Sequence, residues 1–311
     1  MKLGLVIGRF QPFHKGHEHV VKCALADQRI DKLIILVGSS NKARSSKNPW
    51  SYQERADMIK ACFPEGNVEV KPCRDYMYPE LEKENLWNNQ VRSLIGEDCK
   101  YIVGYEKDDS SYYLHNLPEL EFVNVGLYGD ENFGDGLNAT EFRSIYFNDP
   151  FSKILENMVT PKCRSVIGDG CIITYTSLQK EYHALLKEKL DFKNYPYPDS
   201  LNSCVSDSVV YKDGKVLLIK RGGAIGHGLY ALAGGHKDAN ETHLQAALKE
   251  LVEETRISVD KETLQKHLVT NKLFDHPNRN LGVTKPSQVF LFDLSSIERP
   301  VTVCADDDAM D

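Results

Sequence analysis

The sequence predicts an α/β protein whose N-terminal half contains a doubly wound parallel sheet. From residue 1 to about 150, short apolar segments with strand character alternate with segments of helical spacing. The first apolar segment, Leu3 to Ile7, leads directly into a turn rich in glycine and histidine. Ligands of such sheets bind at the carboxyl ends of the strands. We therefore expect this turn to form part of a binding site.

The other elements of this half follow from apolar runs and from the residues that interrupt them. A helix is predicted between Tyr52 and Phe63, because its apolar residues recur at helical spacing. Strands are predicted after the first one at four places, namely Leu33 to Val37, Asn67 to Val70, Tyr101 to Val103 and Phe122 to Val125.

Two imidazoles lie three residues apart in the turn, which reads Gly8-Arg9-Phe10-Gln11-Pro12-Phe13-His14-Lys15-Gly16-His17. Residues from His19 onward have helical spacing, so His17 falls at or near a helix N-terminus. The backbone N–H groups and the positive end of the helix dipole then point into the turn. Together with the neighbouring cations Arg9 and Lys15, this arrangement predicts an anion-binding site.

Composition limits the classes of function. The chain has 311 residues, enough for two domains, with 41% hydrophobic and 27% charged residues, as in soluble globular proteins. A net charge of −7 argues against a general nucleic-acid binder. Neither a membrane-spanning run nor a signal peptide is recognised, and the eight cysteines are scattered. We expect a cytoplasmic protein with reduced thiols and with neither membrane nor nucleic-acid partners.

The His-x-Gly-His turn resembles the signature of Rossmann-like nucleotidyltransferases, most closely that of archaeal-type nicotinamide mononucleotide adenylyltransferases. A second segment, Asn138-Ala139-Thr140-Glu141-Phe142-Arg143, resembles their second signature, with Asn138 in place of a serine. Asn can still cap a helix N-terminus. The resemblance implies transfer of AMP from ATP to nicotinamide mononucleotide, giving NAD and pyrophosphate, with Mg²⁺ or Mn²⁺ as cofactor.

The same resemblance implies roles for individual residues. It makes His14, His17 and Arg143 catalytic, with the histidines acting as electrostatic stabilisers. For Trp87, stacking on the nicotinamide ring and core packing both stay open. The implied nucleotide-binding residues are Gly8, Arg9, Phe10, Gln11, Gly16, Arg55, Gly104, Lys107, Asp108, Asn138 and Thr140.

Residues 151–200 have a different character and are predicted to join two domains, residues 1–150 and 201–311. A helix is expected from Leu178 to Phe192, followed by a stiff, proline-containing connector from Asn194 to Asp199. Beyond it, Ser206 to Tyr211 and Lys215 to Ile219 predict a hairpin around a turn that contains glycine.

Three carboxylates share one helix face in the second domain. Glu250, Glu253 and Glu254 have offsets of zero, three and four, while Leu244, Ala247, Leu248 and Leu251 form a separate apolar face. Like charges at this spacing repel each other by about 0.2–0.5 kcal/mol per pair. A divalent cation would reverse that cost.

This segment, with Gly234-Gly235 before it, resembles the Nudix box. The resemblance implies that Glu250, Glu253 and Glu254 bind the metal, with Glu254 also catalytic, and that Gly235, Glu241 and Lys249 support the box. Three residues depart from the pattern: Ala233 replaces proline, Lys249 replaces arginine and Arg256 replaces glycine. The resemblance also implies a Nudix α/β/α sandwich, which we expect to be shortened at its C-terminus after the strand-like run Val301 to Cys304.

The order of the two modules resembles the bifunctional adenylyltransferase and Nudix ADP-ribose pyrophosphatase proteins. The implied small-molecule partners are ATP, nicotinamide mononucleotide and ADP-ribose, and homo-oligomers are compatible with the sequence. Two alternatives stay open: a different phosphorylated acceptor for the first domain, and a Nudix module that only binds ADP-ribose as a sensor. The segment Phe274 to Arg279 belongs to the second module, and Arg221 is either a substrate contact or a surface residue.

Overall fold

The strands of the N-terminal half form a five-stranded parallel sheet in the order β3-β2-β1-β4-β5. The computed structural model describes residues 2–76, 86–106, 109–129, 136–168, 172–193, 204–238, 240–307 and 309–310. The strands are β1 (Leu3–Gly8), β2 (Lys32–Val37), β3 (Val68–Pro72), β4 (Cys99–Gly104) and β5 (Glu121–Asn124). The strand order reverses at β1 and β4, which creates the crevice of a doubly wound sheet. The predicted fold class is confirmed.

Helices cover both faces of this sheet because the strand residues alternate between two apolar clusters. Val6 and Ile35 belong to one cluster, whereas their neighbours Leu5 and Ile34 belong to the other. The helices are α1 (Lys15–Ala26), α2 (Tyr52–Cys62), α3 (Leu86–Ile95), α4 (Ala139–Asn148), α5 (Lys153–Met158), α6 (Pro161–Gly168) and α7 (Ile172–Lys193), and a 3₁₀ helix spans Asp109–His115.

The chain divides into two compact units, Met1–Gln179 and Lys180–Asp311. The division falls within α7, which contains the helix expected from Leu178 to Phe192. The expected connector from Asn194 to Asp199 lies outside the described residues. None of the helices in the described ranges is long and apolar enough to cross a membrane.

The C-terminal unit contains a mixed sheet in the order β10-β6-β12-β11, with β7 paired to β6. β6 and β12 run parallel, and the other neighbours run antiparallel. The predicted hairpin forms, but its second strand is split into β7 and β8. The elements are β6 (Val205–Lys212), β7 (Lys215–Val216), β8 (Ile219–Lys220), β9 (Tyr230–Ala231), β10 (Ala233–His236), α8 (His243–Thr255), α9 (Lys261–Lys266), β11 (Leu268–Phe274) and β12 (Ser287–Asp293).

The expectation of a strand from Val301 to Cys304 is wrong. This run has no regular structure and instead supplies donors to the carbonyl groups at the end of α8. Cys304 N–H donates to Thr255 O at 2.8 Å, and Asp306 N–H donates to Glu254 O at 3.0 Å. The last carbonyls of a helix have no partner within it, so they compete successfully for these N–H groups. Apolar alternation alone could not reveal that competition.

Arg256, which replaces the glycine of the Nudix pattern, ends α8 in the left-handed conformation with φ of 43°. An arginine there is strained relative to glycine. Its guanidinium forms an ion pair with Asp306 at 2.5 Å. The segment that contains Cys304 and Asp306 therefore provides hydrogen bonds to the last carbonyl groups of α8 and an ion pair to Arg256.

Candidate active sites

The turn after β1 is held in an unusual backbone conformation. Phe10 is buried and has a φ of 52°, a region that bulky residues rarely occupy. Its ring lies over Gly8, where an added Cβ would approach the ring to 2.8 Å. Such strain persists only where the surroundings fix it, and it is concentrated at functional sites.

His14 and His17 stack on each other at the start of α1, with ring centroids 3.7 Å apart. The His14 N–H donates to Nδ1 of His17 at 3.3 Å, which leaves the proton of His17 on Nε2. His14 is 6% exposed, and its Nδ1 is buried without a hydrogen-bond partner in the described chain. A buried polar atom of this kind needs a partner, which a bound ligand would supply.

Both imidazoles are neutral at physiological pH. Burial lowers the pKa of His17 to about 3. Burial also holds the pKa of His14 well below its usual value, and repulsion from the protonated form of His17 and from Arg143 lowers it further. The His17 ring packs against phenylalanine, edge-on to Phe10 with ring centroids 4.9 Å apart. The Nε2–H of His17 is therefore a donor and not an acceptor, and Arg143 supplies a buried positive charge beside the two rings.

The structure brings the second predicted signature to the first. Arg143 is buried and donates from Nη1 to the carbonyl of Gln11 at 2.8 Å and from Nη2 to Thr140 Oγ1 at 3.1 Å. Burial lowers its pKa to about 10, so it keeps its charge. Asn138 accepts from the Thr140 N–H at 2.8 Å, so the predicted cap of α4 is confirmed. The N-termini of α1 and α4 therefore both lie near the guanidinium of Arg143.

The glycines of this site make room for the protein's own side chains. A Cβ on Gly16 would lie 3.1 Å from the His14 ring, and one on Gly104 would lie 2.8 Å from Leu114. The nearest atoms to a Cβ on Gly16 belong to the imidazole, so glycine at this position leaves room for the His14 ring. The predicted nucleotide contact of Gly16 stays a prediction.

Arg55 and Gln11, both predicted to contact the nucleotide, form hydrogen bonds to the protein backbone. Arg55 is 1% exposed, and its guanidinium donates to the carbonyls of Arg9, Gly38, Ser39 and Ser51. It therefore ties α2 to the ends of β1 and β2. Gln11 is also buried, and its side chain binds the backbone of Trp50.

The Gln11 side chain accepts from the Trp50 N–H at 3.0 Å and donates to the Trp50 carbonyl at 2.9 Å. Arg9, by contrast, is exposed at the ends of β1 and β2. Trp87 is partly buried and packs against the second apolar cluster. Lys107 and Asp108 lie outside the described residues.

In the C-terminal unit, two carboxylates of α8 face the glycine pair of β10. Glu254 accepts from the Gly234 N–H at 2.8 Å and is buried. A Cβ on Gly235 would approach Glu250 Oε2 to 2.5 Å, so only glycine lets that carboxylate pack on the strand. Glu253 is exposed. Burial raises the pKa of Glu250, and the negative charges of Glu253 and other nearby carboxylates raise it further.

Lys249, which replaces the arginine of the Nudix pattern, contacts three carboxylates. Its Nζ lies 2.8 Å from Asp238, 3.1 Å from Glu241 and 3.7 Å from Glu250. Glu241 also accepts from the Asp238 N–H at 2.8 Å. The Lys249 ammonium therefore holds the segment after β10, which contains Asp238 and Glu241, against α8. Asp238 was not predicted to take part in this contact.

A cavity of about 480 Å³ opens beside these residues. Arg221, Arg279 and Lys285 line it, together with Glu250 and Glu254. Arg279 donates to Asp207 at 2.9 Å, and Ser287 donates to the same carboxylate oxygen. Sequence reasoning missed Asp207 because its partner is 72 positions away in the chain.

Divalent cations prefer carboxylate oxygens, so the donor chemistry of Glu250, Glu253 and Glu254 fits such an ion. Burial raises the pKa of Glu250, and the positive charge of Lys249 lowers it in part. Across the described ranges, no group of three or more His, Cys, Asp or Glu side chains is already arranged to hold a metal ion. The metal assignment therefore stays a prediction.

Comparison with known proteins accounts for both halves. The cytidylyltransferase-like family model matches residues 5–110, and the NUDIX domain model matches residues 205–309. Over 187 residues the chain is 32% identical to the nicotinamide/nicotinic acid mononucleotide adenylyltransferase of Acinetobacter baylyi, covering 57% of this chain and 92% of that protein. The chain belongs to the nicotinamide mononucleotide adenylyltransferase family.

The adenylyltransferase domain also has archaeal relatives. It is 37% identical over 140 residues to the nicotinamide-nucleotide adenylyltransferase of Archaeoglobus fulgidus, covering 44% of this chain and 75% of that protein. A crystal structure of a bifunctional NMN adenylyltransferase/ADP ribose pyrophosphatase from Francisella tularensis, complexed with AMP and a manganese ion, is similar along the whole chain. The identity is 30% and the TM-score 0.82, covering 100% of this chain and 90% of that one.

The chain is therefore a member of the bifunctional group, with an adenylyltransferase domain followed by a Nudix domain. The predicted family, fold class and domain order are confirmed. The individual site residues stay predictions.

Proposed function

We propose that the chain is a two-reaction enzyme of NAD metabolism. Its adenylyltransferase domain transfers AMP from ATP to nicotinamide mononucleotide, and its Nudix domain hydrolyses ADP-ribose to AMP and ribose 5-phosphate. The observation that carries the first activity is the meeting of the two signatures, where Arg143 bonds the carbonyl of Gln11 beside the stacked histidines. The observation that carries the second is the pair of α8 carboxylates on the glycines of β10.

In the first reaction, the 5′-phosphate oxygen of nicotinamide mononucleotide attacks the α-phosphorus of ATP, and pyrophosphate leaves. A covalent enzyme intermediate is not required, so the protein's part is alignment and charge stabilisation. His17 donates from Nε2, and Arg143 supplies a buried positive charge that water screens weakly. A neutral imidazole does not compete with the arginine for the anion, because it adds a dipole without a second full charge.

The backbone assists the side chains in this domain. The N-termini of α1 and α4 present N–H groups that have no partner within the helix. Both termini flank the cation of Arg143. Negative charge that develops on the leaving pyrophosphate therefore meets donors that are already oriented, which lowers the reorganisation cost of the step.

In the second reaction, water attacks one phosphorus of the diphosphate of ADP-ribose, and the bond to the bridging oxygen breaks. A divalent cation, Mg²⁺ or Mn²⁺, bound by Glu250, Glu253 and Glu254 would activate that water and neutralise the diphosphate. Glu254 is oriented by the Gly234 N–H, and Lys249 fixes the strand exit beside α8. Arg221, Arg279 and Lys285 line the cavity and are the cations that would bind the diphosphate.

The test is a product assay on the intact chain. With ATP, nicotinamide mononucleotide and Mg²⁺, we expect NAD and pyrophosphate in equal amounts. With ADP-ribose and Mg²⁺ or Mn²⁺, we expect AMP and ribose 5-phosphate. Failure to form NAD, with turnover of a different phosphorylated acceptor, would replace the first assignment. Tight binding of ADP-ribose without AMP release would make the second domain a sensor.

A further inference from the structure

One face of α7 contributes to the cavity of the Nudix domain, although sequence analysis assigned this helix to a connector. Glu181, Leu185 and Glu188 have offsets of zero, four and seven, so they lie on the same side of the helix. Leu185 is 8% exposed and lines the cavity together with Glu188. We call these three residues the α7 face.

Glu181 holds the loop that follows β8. Its carboxylate is 3% exposed and accepts from the Gly226 N–H at 3.0 Å. Gly226 has a φ of 70°, so this turn requires glycine at that position. The same loop positions Arg221, whose Nε donates to the carbonyl of Ile225 at 3.1 Å. Glu181 therefore acts on a cation of the cavity through the loop backbone.

Glu188 holds the loop that leads into β12. Its Oε1 forms an ion pair with Lys285, and its Oε2 accepts from the Val283 N–H at 3.3 Å. The two charged side chains are only 16% and 17% exposed. A Cβ on Gly282 would overlap Oε2 of Glu188 and lie 3.2 Å from Leu185 Cδ2. Glycine at position 282 therefore permits the loop to lie directly on the α7 face.

These contacts attach two loops, which are far apart from each other in sequence, to the single helix α7. The loop at 222–229 carries the Arg221 contacts, and the loop at 279–285 carries Arg279 and Lys285. Arg279 Nη1 donates to the Lys285 carbonyl at 3.0 Å, so the second loop is also closed on itself. Three of the four lysine and arginine side chains that line the cavity, Arg221, Arg279 and Lys285, therefore depend on loops that the two α7 carboxylates hold, whereas the fourth, Lys249, lies on α8.

We propose that Glu181 and Glu188 are positioning residues for the Nudix reaction. They hold the loops that carry Arg221, Arg279 and Lys285, so that these cations can bind the diphosphate of the substrate. This inference rests on the proposed ADP-ribose hydrolysis. The carboxylates of both residues bind loops of the protein, so the proposed role is to position those loops and not to take part in the chemical step. Their loss therefore affects substrate binding more than turnover.

The first test compares kinetic constants for ADP-ribose in Glu181→Gln and Glu188→Gln. We expect KM to rise roughly tenfold, equivalent to about 1.4 kcal/mol, with kcat within about twofold of the original. Lys285→Met should raise KM similarly, and the Glu188→Gln/Lys285→Met double variant should be no worse than either single change, because both remove one ion pair. Gly282→Ala should reproduce the defect by pushing the loop off the α7 face.

Asp191→Asn is the matched control, since Asp191 is an exposed carboxylate on the same helix. It should leave KM, kcat and NAD synthesis unchanged. An unchanged KM in both Glu variants would overturn the proposal. A large fall in kcat at constant KM would do the same, because it would place these residues in the chemical step.

Hydrogen exchange gives a measurement that does not depend on catalysis. The amides of Gly226 and Val283 should exchange faster in Glu181→Gln and Glu188→Gln respectively, with α8 protected as before. If the unmodified chain fails to hydrolyse ADP-ribose, the proposed function fails, yet this experiment still tests the α7 face. Unchanged exchange at both amides would contradict the positioning role in either case.

Discussion

The two active-site regions are built from different kinds of contact. Around the first turn, functional side chains bond to backbone groups and to each other, as in the bond from His14 N–H to His17 Nδ1. Around the Nudix cavity, charged side chains pair with charged partners, as in Asp207 with Arg279 and Glu188 with Lys285. The first region contains a stacked pair of neutral imidazoles, and the second contains paired opposite charges.

This difference has a physical consequence. A neutral ring that is fixed by stacking keeps its orientation at any salt concentration, whereas charge pairs near a cavity respond to screening and to the loss of either partner. We therefore expect substitutions in the first region to affect the chemical step. Those in the second region that lie away from Glu254 should mainly affect binding.

The largest effect is expected for His17→Ala. It removes an oriented donor, and such a loss costs roughly 10²- to 10³-fold in rate in comparable sites. We expect NAD synthesis to fall by that factor while ADP-ribose hydrolysis stays unchanged. His19→Ala, on the same helix, is the control. Near-native NAD synthesis by His17→Ala would remove the histidine pair from the mechanism.

The reciprocal change is Glu254→Gln, which keeps the shape of the side chain and removes its charge. Because this carboxylate is proposed to bind the metal, we expect hydrolysis to fall about 10²-fold, with NAD synthesis unchanged. Glu262→Gln, an exposed residue of α9, controls for surface charge. If Glu254→Gln lowered both activities equally, the separation of the two sites would be wrong.

A smaller effect is expected at Lys249, where the Nudix pattern has arginine. Lys249→Met leaves Asp238 and Glu241 without their shared cation, and we expect a roughly tenfold loss of hydrolysis. Lys249→Arg should retain activity, because arginine can bond two carboxylates at once. Steady-state rates for both variants measure the difference. Equal losses in the two would show that the ion pairs do not matter.

The smallest effect concerns stability and pH. His17 has a folded pKa of about 3 against an ordinary value near 6.5, so the unfolded chain binds more protons below pH 6.5. The contribution of His17 is fully present above pH 6.5 and is lost as the pH falls toward 3. Between pH 7 and 5.5, His17→Gln should therefore reduce the acid-induced loss of stability by about 1 kcal/mol.

Urea unfolding followed by tryptophan fluorescence measures this change. Both tryptophans, Trp50 and Trp87, lie in the N-terminal unit, so the signal reports only on that unit. Identical pH dependence in the variant and the original chain would show that His17 is solvated and titrates normally.

The same comparison explains how far the sequence could predict the structure. The parallel sheet, the helix N-terminus near His17 and the cap at Asn138 depend on neighbouring residues, so period and capping rules found them. The burial of Arg55 and the bonds of Gln11 to Trp50 join segments far apart in sequence, and nothing local marks them.

The Nudix cavity was harder to predict for the same reason. The three glutamates of α8 stood out by helical spacing, but Asp207, Glu181 and Glu188 have partners 45 to 97 positions away. Charged residues on a helix ordinarily face solvent, so the sequence did not distinguish the packing of Glu181 and Glu188 against loops from an exposed helix surface. The error at Val301 to Cys304 also reflects a distant partner, the end of α8.

The most direct test of the central claim is a crystal structure of the chain with a non-hydrolysable ATP analogue. We predict that the triphosphate lies at the start of α1 and α4, within hydrogen-bonding distance of His17 Nε2 and the Arg143 guanidinium. A nucleotide bound elsewhere, with both imidazoles out of reach of any phosphate, would contradict the account.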